Sequence, residues 1–222
     1  MSYNYKGLSN DPEDRARVTY PFVYWEEAFS SEELDAICEF GSRNLVEGTI
    51  AGKKEGHTEE PDSPDNLGPV KNTGVRSSKV SFHKRHEETD WIFDRLNNVI
   101  EMCNNRWYNF DLNGYEAFQY TEYHADQQGH YDWHVDTQLG ILPYKNLNTE
   151  TRKLSLTLLL NDPDTDFDGG ELQIGNPQNP ETCPTKKGTC ILFPSFQLHR
   201  VAPVTRGVRK SLVAWVVGPK FR

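Results

Sequence analysis

Beyond residue 115 the chain reads as short strand-like runs divided by turn residues, and this pattern limits the fold more than any other feature. Candidate strands cover 115–123, 131–136, 154–160, 171–174, 188–193, 199–204 and 209–217. Gly169-Gly170 and Thr205-Arg206-Gly207 read as turns between them. Two helices come first. Ser30 with Glu33 three residues on fits a capping box, and Leu34, Ile37, Cys38 and Phe40 follow at roughly helical spacing, predicting a helix over 31–45. Ile92, Leu96, Val99, Ile100 and Cys103 form one apolar stripe, predicting a second over 88–106. The expected fold is mainly β, with helices packed on one face of an antiparallel sandwich or barrel.

The chain of 222 residues suits one domain. Residues 1–114 would be its helical support region, and 115–218 its β core. The first twenty residues are polar and read as a loose arm. Residues 48–74, rich in Gly, Pro, Asp, Glu and Lys, read as a structureless stretch, either a mobile loop able to close over an extended substrate or a disordered insertion.

Charge and cysteine usage narrow the function. The net charge of −9 gains nothing from counterion release on a phosphate backbone, so a nucleic-acid partner is not expected. No apolar run approaches the ~18–20 residues of a membrane span, and the N-terminus lacks the apolar core of a signal peptide. Cys38, Cys103, Cys183 and Cys190 are dispersed and form no CxxC pair. A reduced, cytoplasmic protein is expected. Its oligomeric state is left open.

The densest cluster of reactive side chains runs from Gly129 to Thr137. Residues two apart on a strand share a face, so His134 and Asp136 would present an imidazole and a carboxylate side by side. His130 and Asp132 form an internal rival of the same spacing. Downstream, His199 stands in an apolar hairpin setting, and Arg209 follows on a strand running to Trp215. Two imidazoles and one carboxylate on one side of a metal leave the other positions open, the arrangement of non-haem Fe(II) oxygenases. A buried guanidinium nearby suits the far carboxylate of a dicarboxylate co-substrate. Each piece alone has an ordinary alternative: a polar strand face for His134 and Asp136, a satisfied core histidine for His199, a sheet-edge charge for Arg209.

Taken in order, these segments resemble the Fe(II)/2-oxoglutarate-dependent dioxygenases, specifically the prolyl 4-hydroxylase-like group, over roughly residues 75–218. Tyr131-x-x-His134-x-Asp136 resembles the iron strand, and Arg152 through Asp162 the strand ending in Leu-Asn-Asp. Phe167-Asp168-Gly169-Gly170-Glu171-Leu172 resembles a characteristic turn. His199-x-Val201-x-Pro203-Val204 is similar to the distal-histidine strand, and Gly207-x-Arg209 with Trp215 to the co-substrate anchor. The resemblance implies a double-stranded β-helix (jelly-roll) core. It implies His134, Asp136 and His199 as iron ligands, displacing the rival pair. Arg209 would anchor the 2-oxoglutarate C5 carboxylate, where related collagen-type enzymes carry Lys; Lys210 would point the other way. Tyr131 and Ser155 match positions that hydrogen-bond the same carboxylate, although Tyr131 needs a bend to reach it from a regular strand. Trp215 would wall the co-substrate pocket.

The reaction implied uses Fe(II), with 2-oxoglutarate and O2 as co-substrates and L-ascorbate as an auxiliary reductant. It hydroxylates an unactivated C–H bond, first of all in peptidyl-proline. Asp136 fills the position a halogenase would leave to halide. A free amino acid or other small metabolite is the alternative substrate. A non-catalytic metal-binding β-barrel is the alternative of another class, disfavoured because a structural metal has no need of Arg209. Arg76-Ser77-Ser78 resembles a segment near the substrate groove or reads as a surface strand start, Tyr120 and Tyr123 read equally as lining the entrance or as strand packing, and His83 and His86 read as solvated surface.

Overall fold

The structure, a computed structural model, describes residues 20–53, 67–137 and 150–219. The N-terminal arm and the centre of the expected 48–74 loop lie outside these residues. What is described of that loop is partly paired: β3 (Ile50–Lys53) and β4 (Leu67–Val70) form an antiparallel hairpin, so the segment is not structureless throughout.

Helix α1 (Ser31–Gly41) opens with the capping box read from the sequence. The Glu33 amide donates to Ser30 Oγ at 3.3 Å, and the Ser30 amide to Glu33 Oε2 at 2.8 Å. Arg95 donates to the same Glu33 carboxylate from α2 (Asp90–Cys103), at 2.9 Å. α1 ends four residues earlier than its spacing predicts, and α2 continues into a π-helical turn at Asn104–Tyr108.

A large antiparallel sheet carries most of the chain. Its central strands are β7 (Gly114–His124), β9 (Glu150–Leu159), β13 (Cys190–Pro194) and β15 (Val204–Pro219). β1 (Val23–Trp25) lies at one edge and β6 (Lys79–His83) with β2 (Val46–Glu47) at the other, while β10 (Phe167–Gly169) pairs with one end of β15. A smaller sheet runs in the order β12 (Glu181–Thr182), β11 (Leu172–Ile174), β14 (His199–Val201), β8 (His130–His134), β5 (Arg76–Ser77).

Strand β9 shows why the sheets pack as they do. Leu154, Leu156 and Leu158 point outward, into a core shared with Leu34 and Ile37 of α1 and Ile92, Phe93 and Leu96 of α2. Each such leucine contributes roughly 1.5–3 kcal/mol on burial, so this outer face stabilises the sheet without help from the inner one. The alternate residues Ser155, Thr157 and Leu159 turn inward. A second core of Leu159, Ile191 and Phe193 against Leu172, Ile174 and Val201 joins the two sheets at one end. The polar residues facing the rest of the interior are therefore a lining and not a failed core. This is a double-stranded β-helix flanked by helices.

Two local expectations change. Thr205-Arg206-Gly207 is no turn, since β15 runs through it and pairs with β10, Gly207 opposite Phe167. Gly207 has φ +68°, and a Cβ there would stand 1.9 Å from the Asp166 carbonyl oxygen, so the strand keeps its course only with glycine. His83 is not solvated surface either. Its ring lies 4.4 Å from Phe40 and 5.1 Å from Phe118, its Nε2 is 2.8 Å from Ser81 Oγ, and burial holds its pKa below the usual imidazole value.

Candidate metal centre and co-substrate site

His134 is the last residue of β8 and His199 the first of β14, and the two are directly paired across the small sheet. Asp136 follows two residues on, beyond the end of β8. Asp136 Oδ1 stands 3.8 Å from His134 Nε2, and Oδ2 stands 3.6 Å from His199 Nε2. All three candidate ligand atoms fall within 4.8 Å of one another, the only such group among the described residues. The rivals do not join it. His130 Nδ1 bonds the Gln128 carbonyl at 2.7 Å, and Asp132 is exposed and caps the Trp133 amide at 2.8 Å.

Each histidine is oriented from behind. His134 Nδ1 donates to the Asp132 carbonyl at 2.7 Å, and His199 Nδ1 to the Gln197 carbonyl at 2.9 Å. A carbonyl only accepts, so the proton sits on Nδ1 and the Nε2 lone pair faces the cluster. Burial, with His199 adding, pushes His134 down to about 4, so it is a neutral ligand at neutral pH. Burial opposes ionisation of Asp136, but the two imidazoles and the Ser155 hydroxyl outweigh it and hold its carboxyl below the usual range.

A bulge supplies the bend that Tyr131 needs. His134 pairs with His199, but Tyr131 with Val201, so three steps on β8 oppose two on β14. The Tyr131 ring consequently stacks on the His134 imidazole, 3.5 Å between centroids and 16° from parallel. The Arg76 guanidinium also lies over the Tyr131 ring, 4.7 Å from its centroid. Arg76 is itself buried and fixed by Ser78 Oγ at 2.9 Å, the Thr49 carbonyl at 3.1 Å and Gln119 Oε1 at 3.3 Å.

Arg209 lies on the inner face of β15, 4% exposed. Its guanidinium bonds the neutral Ser211 hydroxyl at 3.1 Å, lies 5.7 Å from the Tyr123 ring, and is ion-paired with no carboxylate among the described residues. Burial lowers its pKa. Gly170 makes room for it: with φ +68°, a Cβ there would stand 2.8 Å from Arg209 Cδ. Lys210 turns to the other face, opposite Glu122.

The other two expected residues stand elsewhere. Ser155 Oγ is bonded to Asp136 Oδ2 at 2.6 Å, which commits its one proton to the metal ligand and not to a bound carboxylate. Trp215 pairs with Ser155 on the same inner face as Arg209, but six residues along, about 20 Å of strand away. It therefore borders the Ser155 end, with Arg152 4.0 Å above its ring and its buried Nε1 unpartnered among the described residues. Tyr123 and Arg76 were underrated by sequence reasoning. Alternation on the strand after 115 could have flagged Tyr123 as facing inward; nothing local flags Arg76 as buried.

Two imidazole nitrogens, one carboxylate and no thiolate suit Fe(II), and they would hold one side of the ion only. Arg209 is buried with no carboxylate in ion-pair contact among the described residues, and such a group calls for an anion. The residues thus fit both a non-haem iron and an anionic co-substrate.

Comparison agrees. Residues 118–217 match the family model of the 2OG-Fe(II) oxygenase superfamily. A PKHD-type hydroxylase of Teredinibacter turnerae is 42% identical over 89 residues, and one of Acidovorax ebreus 41% over 88. Each alignment covers 40% of this chain and only 38% of the relative. Over most of the chain the fold matches a Pseudomonas putida prolyl-4-hydroxylase (TM-score 0.61, 16% identity, 89% of this chain and 92% of the other). It also matches a Trichoplax adhaerens prolyl hydroxylase solved with a hypoxia inducible factor peptide fragment (TM-score 0.63, 18% identity, 89% and 84%).

Proposed function

We propose that this protein is an Fe(II)- and 2-oxoglutarate-dependent hydroxylase of peptidyl-proline. The observation that carries the reading is the convergence of His134, Asp136 and His199 in the same interior as a buried Arg209 that has no carboxylate ion-pair partner among the described residues. A structural metal site would need only the first half of that pair.

In this reading His134 and His199 supply nitrogen lone pairs and Asp136 one negative charge. Arg209 fixes the co-substrate by its far carboxylate, with Tyr123 beside the guanidinium. Tyr131, stacked on His134, borders the metal end, as do Ser155 and Trp215. Iron bound there would supply activation of O2, coupled to decarboxylation of 2-oxoglutarate, and oxidation of an unactivated C–H bond.

The prolyl substrate is supported by the fold neighbours, one of which holds a peptide. Action of the whole chain as one domain, a cytoplasmic setting and L-ascorbate as auxiliary reductant belong to the same reading. No described helix is long and apolar enough to cross a membrane.

The test supplies the iron-loaded protein with 2-oxoglutarate, O2 and a panel of proline-containing peptides and free amino acids. Peptides gaining one oxygen atom by mass spectrometry, matched by succinate release, is the expected result. Oxygen gained only by a free amino acid would overturn the prolyl reading, and absence of succinate with every substrate would overturn the enzyme.

A further inference from the structure

We propose that Ser155 is a positioning residue for Asp136, and that Ser195 orients Ser155 for that task; the proposal rests on the metal-site reading above. Asp136 lies past the end of β8, so no strand ladder of that segment holds it in place. Two contacts with Ser195 take over. The Ser195 carbonyl accepts from the amides of both Asp136 and Thr137, each at 2.9 Å. Through its side chain, Ser195 Oγ lies 3.0 Å from Ser155 Oγ, which lies 2.6 Å from Asp136 Oδ2.

The direction of this chain follows from counting protons. A hydroxyl has one proton to give, and a carboxylate has none. Ser155 therefore donates to Asp136 Oδ2, and in doing so can only accept from Ser195. Both serines are fully buried, so bulk water does not compete for either bond. Ser195 thus holds the ligand residue twice, by its backbone and by its side chain.

The result is an asymmetric carboxylate. Oδ2 is engaged by Ser155 at short range, which leaves Oδ1 as the oxygen free to face a metal. A carboxylate free to rotate could bring both oxygens to one ion and occupy a position that a chelating co-substrate needs. Ser155 and Ser195 thereby keep that position open.

The alternative is that the two serines are only satisfied polar filler behind the site. Anaerobic titration of wild type, Ser155→Ala, Ser155→Thr and Ser195→Ala with Co(II) separates the two, because cobalt's visible absorption reports its coordination. Ser155→Ala should bind cobalt about ten-fold more weakly, or worse, with an altered visible spectrum. Ser155→Thr, which keeps the hydroxyl, should restore both, and Ser195→Ala should shift both in the same direction by less. A folded Ser155→Ala protein with wild-type affinity and spectrum would overturn the proposal. Should Ser155→Ala not fold, Ser195→Ala decides by the same criterion. Wild-type protein that takes up no cobalt would overturn the metal site itself, and this role with it.

Discussion

At the scale of single residues, the site depends on where protons are held. His134 and His199 each spend their Nδ1 proton on a carbonyl behind them, so both arrive at the cluster as lone-pair donors. His130 has the same residue type four positions earlier, but it bonds the Gln128 carbonyl away from the cluster. Replacing His134, Asp136 or His199 by Ala should each abolish 2-oxoglutarate turnover, measured as succinate release, with the fold retained by circular dichroism. His130→Ala and Asp132→Ala should keep most of the activity. Loss of turnover in the second pair with survival in the first would reverse the assignment of ligands. The triad was legible in the sequence because period-two spacing places His134 and Asp136 on one face. Ser155 was not, since a serine between leucines on a strand says it faces inward but not which partner takes its proton.

Among the elements, β15 does the most. One face of the strand, through Leu212, Ala214 and Val216, enters the core beneath the helices; the other carries Arg209 and Ser211 into the interior. Its first residues mislead: Thr205-Arg206-Gly207 has turn composition, yet the chain continues as an irregular strand, because β10 pairs with it and Arg206 grips Asp168 at 2.6 and 2.9 Å. The tertiary pairing overrides the local preference, and glycine is needed for close approach to Asp166 and its positive φ. Gly207→Ala should therefore cost about 1–3 kcal/mol in thermal or denaturant unfolding, and weaken 2-oxoglutarate binding because Arg209 stands two residues on. A substitution neutral in both measurements would mean the strand tolerates a side chain there. The bulge in β8 was equally hidden in composition; only the need for Tyr131 to turn toward the site hinted at it.

For the whole molecule, the division of labour between two sheets explains how a chain with a net charge of −9 keeps a buried cation. Stability comes from the apolar layer between the helices and the outer face of the large sheet, so the interior between the sheets is free to be polar. The architecture was legible from the strand periodicity after residue 115, although β1, β2, β5 and β6 of the expected helical region also join the two sheets. The β3 and β4 hairpin was not, hidden in a stretch whose Pro, Gly and charge content reads as loop. The account as a whole stands on that interior accepting a dicarboxylate beside a metal. Calorimetric titration of 2-oxoglutarate into anaerobic, iron-loaded protein tests it most directly, with Arg209→Ala, Arg209→Lys and Lys210→Ala beside the wild type. Arg209→Ala should lose about 2–5 kcal/mol of binding while iron is retained, Arg209→Lys should lose part of it because the planar fork is gone, and Lys210→Ala should match wild type. Wild-type affinity in iron-loaded Arg209→Ala would contradict the account and leave a metal-binding barrel without a co-substrate site.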